Sequence, residues 1–286
     1  MMARLSLAAR GPAAAALLRS VRYEVIPTPT IEEKVVDSVP MDVTVTVTAS
    51  PAKPIETTVD LAERLAARGY RVVPHVSARL LKGRDHLAEV VERLRAAGID
   101  DVFVPAGDAD PPAGEYEGSL PVLIDLESLG APFPRVGITG YPESHPAIDD
   151  DVTVQSMWDK RSHATYIVSN LCFDPATISD WVKRVRRRGV TLPIQMGLAG
   201  PVERAKLLTM ATKVGVGQST RFLTQHASFF TRLMSSGYSP ENLLGKVAGT
   251  VGAGEAGIAG LHVFTFNQVA ETERWRQDLL GRLPGG

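Results

Sequence analysis

The sequence predicts an α/β protein: a (β/α)8 TIM barrel occupying residues 21–286 as one catalytic domain, after an N-terminal arm at 1–20. Three observations carry this expectation. Short β-rich runs alternate with helical patterns, the signature of repeated βα units around a parallel sheet. Several of the runs are continuously apolar, as strands buried on both faces are. The chain has 286 residues, 44% of them hydrophobic, which suits one barrel of about 250 residues.

Taken in order, Met1–Ser20 is alanine-rich and carries Arg4, Arg10 and Arg19. The stretch reads as a helical or disordered arm rather than a secretory signal, because Gly11-Pro12 interrupts the apolar run. Strands are expected at Arg22–Ile26, Asp42–Thr48, Arg71–Val76, Asp101–Ala106, Arg135–Tyr141, Thr165–Phe173, Leu192–Leu198 and Leu261–Asn267. Leu87, Val90, Val91 and Leu94 follow the spacing of one buried helical face, with Asp85 as the expected N-cap and Gly98 as the stop. Ile178, Trp181, Val182 and Val185 repeat the pattern behind Asp174-Pro175, a cap followed by proline in the first turn. The basic run Lys183 to Arg188 on that helix reads as a solvated outer face. Between the seventh and eighth strands, Pro201–Val214 and Arg221–Met234 predict an extra helical layer, and Glu271–Arg282 closes the ring. A doubly wound open sheet is the alternative, but no G-x-G-x-x-G turn follows an early strand.

Composition narrows the function. With 31 basic and 32 acidic residues, nothing suggests nucleic acid or an acidic membrane surface as partner. No run reaches the ~18 apolar residues of a membrane span. Cys172 is the single cysteine, which excludes an intrachain disulfide and suggests a reducing, cytoplasmic setting. The histidines are scattered, and no spacing reads as a metal site.

Barrel active sites lie at the C-terminal ends of the strands. The polar residues expected there are Glu24, Thr48, His75, Asp108, Tyr141, His145, Asn170, Asp174 and Gln195. Glu24 stands out, because a carboxylate inside an apolar strand is costly unless paired or functional. Each has a plainer reading as well. Glu24 could be an ion-pair partner, His75 a satisfied core histidine, Asp108 a loop cap, His262 a structural residue and Cys172 a small core residue. There is no G-x-S-x-G elbow and no phosphate loop.

In order, these segments resemble the methylenetetrahydrofolate reductase family, from about Arg22 to Asn267. Tyr23-Glu24-Val25-Ile26-Pro27 is similar to its Phe-Glu-Phe-Phe-Pro, Val45-Thr46-Val47-Thr48 to its Val-Ser-Val-Thr, and Pro74-His75-Val76-Ser77 to its Pro-His-Leu-Thr. Gly107-Asp108 matches the end of Leu-Arg-Gly-Asp, and Tyr141 to Pro146 matches Tyr-Pro-Glu-x-His-Pro. Phe173-Asp174 and Leu261–Asn267 resemble two further strand ends.

The resemblance implies roles by position. Glu24 would be the general acid that opens the methylene bridge to an iminium, and Asp108 would stabilise that cation and bind the pterin. The acid must be protonated, which burial favours, and its partner ionised. Asn170, Gln195 and Leu208 would touch substrate. Thr48, His75, Gly107, Tyr141, His145 and Lys160 fall on positions lining the flavin site.

Departures shift the expected cofactor. The family's arginine before Gly-Asp is Ala106 here, its stacking phenylalanine is Leu208, and a companion glutamine is Arg204. Losing a five-donor guanidinium is not a conservative change. The expectation is therefore the family's divergent branch that works without flavin. There NADH (or NADPH) would pass hydride directly to methylenetetrahydrofolate in a monomer or small homo-oligomer that binds no metal. The rivals are an FAD-dependent reductase, a non-catalytic folate- or nucleotide-binding barrel, and a lyase or aldolase, for which no Schiff-base lysine stands at a strand end.

Overall fold

The computed structural model describes residues 11–142, 150–201, 239–250 and 257–283. Among them the predicted barrel is present. The strands are β1 (Val21–Val25), β2 (Thr44–Val47), β3 (Val72–Pro74), β4 (Asp101–Phe103), β5 (Arg135–Gly140), β6 (Tyr166–Ser169), β7 (Ile194–Ala199) and β8 (Ile258–Phe264). All pair in parallel, in the order β3-β2-β1-β8-β7-β6-β5-β4. The ring closes between β3 and β4 through the His75–Phe103 bridge, where Val76 N donates to Phe103 O at 2.8 Å.

Nine helices are described: α1 (Gly11–Arg19), α2 (Ile31–Ser38), α3 (Glu56–Ala67), α4 (Arg84–Ala96), α5 (Ser119–Ser128), α6 (Asp150–Lys160), α7 (Pro175–Arg187), α8 (Pro240–Thr250) and α9 (Val269–Arg282). Within the expected N-terminal arm, α1 buries Ala14, Ala15, Leu17 and Leu18 against β8, beside α8 and α9. The cap at Asp174 forms as predicted: its side chain accepts from Ala176 N and Thr177 N, with Pro175 in the first turn. Asp85 is not the N-cap of α4; Gly83 is, and Asp85 sits in the first turn, where its charge favours the helix dipole. Gly98 stops the helix with φ +74°. The expected helices at Pro201–Val214 and Arg221–Met234 fall almost wholly outside the described residues; α8 is the helix described in that interval.

Strand alternation sorts side chains between two environments. The Tyr23 hydroxyl donates to Glu273 Oε2 on α9 at 2.7 Å, so Tyr23 faces outward. Its neighbours Arg22 and Glu24 therefore face the barrel interior. At the lower end of that interior, Arg22 meets Asp101 at 3.2 Å and lies 4.4 Å over the Tyr166 ring, whose hydroxyl donates to Asp101 at 2.6 Å. Val73, Phe103, Tyr166 and Val168 form the small inner apolar cluster. The larger core lies between strands and helices.

Candidate active site

Glu24 is the penultimate residue of β1, and its side chain is only 14% exposed. Its Oε2 lies 3.0 Å from His262 Nε2 and 3.8 Å from His75 Nε2. His262 follows from the closed ring. β8 pairs with β1, and Arg22 and Glu24 stand beside His262 and Phe264, so both histidine and carboxylate project inward. The rings settle against aromatic neighbours, His75 on Phe103 at 4.7 Å and His262 on Phe264 at 4.9 Å. Burial raises the Glu24 carboxyl, but the His262 hydrogen bond and the two imidazoles outweigh it and hold it below the usual carboxylate range. Burial pushes His75 down to about 4, so it is neutral near pH 7.

The backbone around Glu24 is held by residues just beyond β8. Thr265 Oγ1 donates to Glu24 O at 2.6 Å. Asn267 acts as a peptide mimic: its Oδ1 accepts from Ile26 N at 2.7 Å, and its Nδ2 donates to Ile26 O at 2.8 Å and to Thr28 Oγ1 at 3.2 Å. Phe266 and Asn267 have φ of +51° and +59°. The expected strand through Asn267 therefore ends at Phe264 and turns back over β1.

The loop after β4 brings Asp108 to the same end of the barrel, exposed to solvent. Gly107 before it has φ +86°, and an added Cβ would overlap Ser77 Oγ. Glycine is thus required twice, by conformation and by space. The backbone of Ala106 accepts from Arg79 N at 2.9 Å. Burial raises the Tyr141 hydroxyl, Thr139 opposes, and the nearby Asp108 charge adds to the rise.

The other predicted residues divide by position. Thr48, Tyr141 and Asn170 directly follow β2, β5 and β6, hence on the C-terminal rim. Asn170 is exposed, its Oδ1 accepting from Leu171 N at 2.8 Å. Lys160 ends α6, and burial pushes its ammonium down to about 8 against the opposing charge of Asp159. Gln195 is not at the rim. It is the second residue of β7, buried beside Gly260 near the start of β8, because that strand begins two residues later than expected. His145, Arg204 and Leu208 lie outside the described residues. Cys172 is buried, as a core residue should be.

The sequence reading took His262 as structural and did not single out Thr265 or Asn267. Ring closure was the available signal: once β8 borders β1, inward positions on the two strands must meet.

Glu24, His75 and His262 place donor atoms within 4.8 Å of one another, a spacing one divalent ion can span. A ligating imidazole normally donates its second nitrogen to an outer partner. His262 Nδ1 is buried with no hydrogen-bond partner. The contact of Glu24 with His262, a carboxylate oxygen 3.0 Å from an imidazole nitrogen, is also one along which a proton can pass. Among the described residues no helix is long and apolar enough to cross a membrane.

A family model described as methylenetetrahydrofolate reductase matches residues 30–225. Among solved structures, oxaloacetate acetylhydrolase is similar at 10% identity and TM-score 0.53, over 95% of this chain and 86% of that one. A Burkholderia cenocepacia J2315 protein described as a lyase/mutase is similar at 14% identity and TM-score 0.50, over 95% and 85%. The C-terminal domain of a Desulfitobacterium hafniense DCB-2 protein described as a chitinase is similar at 14% identity and TM-score 0.51, over 93% and 99%. At such identities these structures show the barrel fold alone.

Proposed function

This chain belongs to the methylenetetrahydrofolate reductase family, and from that premise we propose that it reduces methylenetetrahydrofolate to methyltetrahydrofolate with hydride taken directly from NADH. Membership makes it an oxidoreductase of folate one-carbon metabolism. The finer reading is supported above all by one observation: a sequestered Glu24 held on histidine, with the exposed carboxylate of Asp108 at the same end of the barrel.

The two carboxyl groups have complementary environments. Burial does not keep Glu24 protonated as the sequence suggested, because its histidine partners hold the carboxyl below the usual range; the proton it passes from Oε2 to the ring nitrogen of the substrate is supplied to it during the reaction. Asp108 is solvated, at the same end of the barrel, and would face the resulting iminium carbon. Two carboxyl groups given different environments is how one site performs acid and electrostatic work together. NADH, when bound, supplies the hydride that turns the methylene carbon into a methyl group.

The residues at the expected cofactor positions bear on which cofactor is held. Lys160 is a half-buried cation with no ion pair among the described residues, which suits the diphosphate that NADH and FAD share. At the position of the family's arginine stands Ala106, whose backbone is engaged by Arg79. The guanidinium of Arg79 in that loop is engaged by Ala109 O at 2.6 Å and by Asp110 at 3.7 Å, and Ala106 itself offers no clamp for a flavin.

The test uses purified protein. NADH and methylenetetrahydrofolate together are expected to give methyltetrahydrofolate in a preparation with no visible flavin absorbance. Stoichiometric flavin would show the flavin-dependent reaction instead. Absence of product would remove the reductase reading.

A further inference from the structure

The hydrogen bond between Glu24 and His262 raises a chemical question. Each turnover consumes one proton at the substrate nitrogen, and a shielded carboxylate must be resupplied. Among the described residues, Glu24 Oε2 has one polar side chain at hydrogen-bond distance, His262 Nε2 at 3.0 Å. His262 itself is 1% exposed, beneath the carboxylate and away from the rim. Its other nitrogen, Nδ1, is buried without a partner. So is Gln195 Oε1, which stands one inward position lower across the β7–β8 pair. Buried polar atoms of this kind are commonly bridged by ordered water.

We propose that His262 is the positioning residue that carries the proton to Glu24, delivering from below the proton that Glu24 passes to the substrate nitrogen. This rests on the reading of Glu24 as the acid. In the loaded pair His262 is an imidazolium and Glu24 a carboxylate. The Nε2 proton moves to Glu24 Oε2, and the Glu24 proton moves to the substrate nitrogen as its bond to the methylene carbon breaks. That leaves His262 neutral with its proton on Nδ1. A proton from water then restores the pair.

The charge environment allows this. From β1 the groups facing His262 are Glu24 and Arg22, and Arg22 is engaged by Asp101 of β4 and lies over Tyr166 of β6. His75, after β3, lies 6.2 Å away ring to ring and is neutral. From β2 and β7 come the uncharged Thr46, Gly197 and Gln195. Glu24 is thus the carboxylate in contact with His262.

The experiment compares wild type with H262N, which keeps a donor for Glu24 but cannot carry a proton. We expect kcat to fall about 100-fold or more with KM little changed, the scale of general acid–base contributions. We also expect the alkaline limb of the kcat–pH profile to move to lower pH. Unchanged kcat with an unmoved limb overturns the proposal while leaving the reductase reading intact. No product from wild type sinks both. Should H262N fail to fold, the solvent-isotope dependence of wild-type single turnovers decides. Two protons in flight give a curve bowed against deuterium fraction, and a straight line overturns the proposal. Turnover abolished by chelators and restored by Zn²⁺ overturns it too, in favour of a metal centre.

Discussion

Replacing Asn267 by alanine tests whether the residues beyond β8 hold Glu24 in place. The substitution removes hydrogen bonds to Ile26 N, Ile26 O and Thr28 Oγ1. At about 1 kcal/mol each they amount to about 3 kcal/mol, and a buried donor left unsatisfied is at the upper end of that scale. Alanine must also adopt φ near +59°, which adds up to about 1 kcal/mol relative to asparagine. The expected loss is therefore about 3–4 kcal/mol, or roughly 10 °C in Tm for a domain of this size. Urea unfolding with an unchanged m-value measures it. N267D should be worse, since it turns a carboxylate oxygen toward Ile26 O. A loss below about 1 kcal/mol for N267A would refute the clamp. Its effect on kcat should exceed that of an equally destabilising change on the outer helices, because Thr265 and Asn267 fix the backbone of residues 24–26.

Further outcomes follow from other residues. E24Q is nearly isosteric and can still bond His262, so stability should hold while kcat falls about 100- to 10,000-fold; stopped-flow NADH oxidation with retained turnover would take Glu24 out of the acid role. G107A should cost about 1–2 kcal/mol or more from its left-handed backbone alone. S77A should recover only part of the loss, read as a double-mutant cycle. His75 is depressed from 6.5 to about 4 on folding. The unfolded chain then binds the extra proton between those values, so stability is fully present above pH 6.5 and is lost as pH falls toward 4. H75Q should flatten that limb in denaturation curves taken across this range, and an unaltered slope would show that His75 is not the group responsible.

The fold was legible because its signals are local and repeat. Apolar runs marked the strands, and Asp174-Pro175 marked the start of α7. Glu24 was legible for a different reason: a charged residue amid Tyr23, Val25 and Ile26 contradicts its surroundings. The partners of Glu24 were not legible in the same way. His262 is separated from it by 238 residues, and only ring closure makes β8 a neighbour of β1. Asn267 reads as one more polar residue after a strand until its φ and both amide contacts are known. Gln195 shows the opposite error. A strand start misplaced by two residues moved a polar side chain from the lower interior to the rim.

The seam between β3 and β4 has a consequence for how this barrel can change. Those strands are three residues long, and one bridge joins them. Above that bridge the contact continues through loops: Ala78 N donates to Pro105 O at 3.0 Å and Arg79 N to Ala106 O at 2.9 Å, with Gly107 pressed on Ser77. The hoop is therefore clasped by the segment that presents Asp108. In most barrels the rim loops are accessories that vary while the staves stay fixed. Here that loop is part of the fastening, and residues 105–108 cannot be exchanged for a new specificity without loosening the ring.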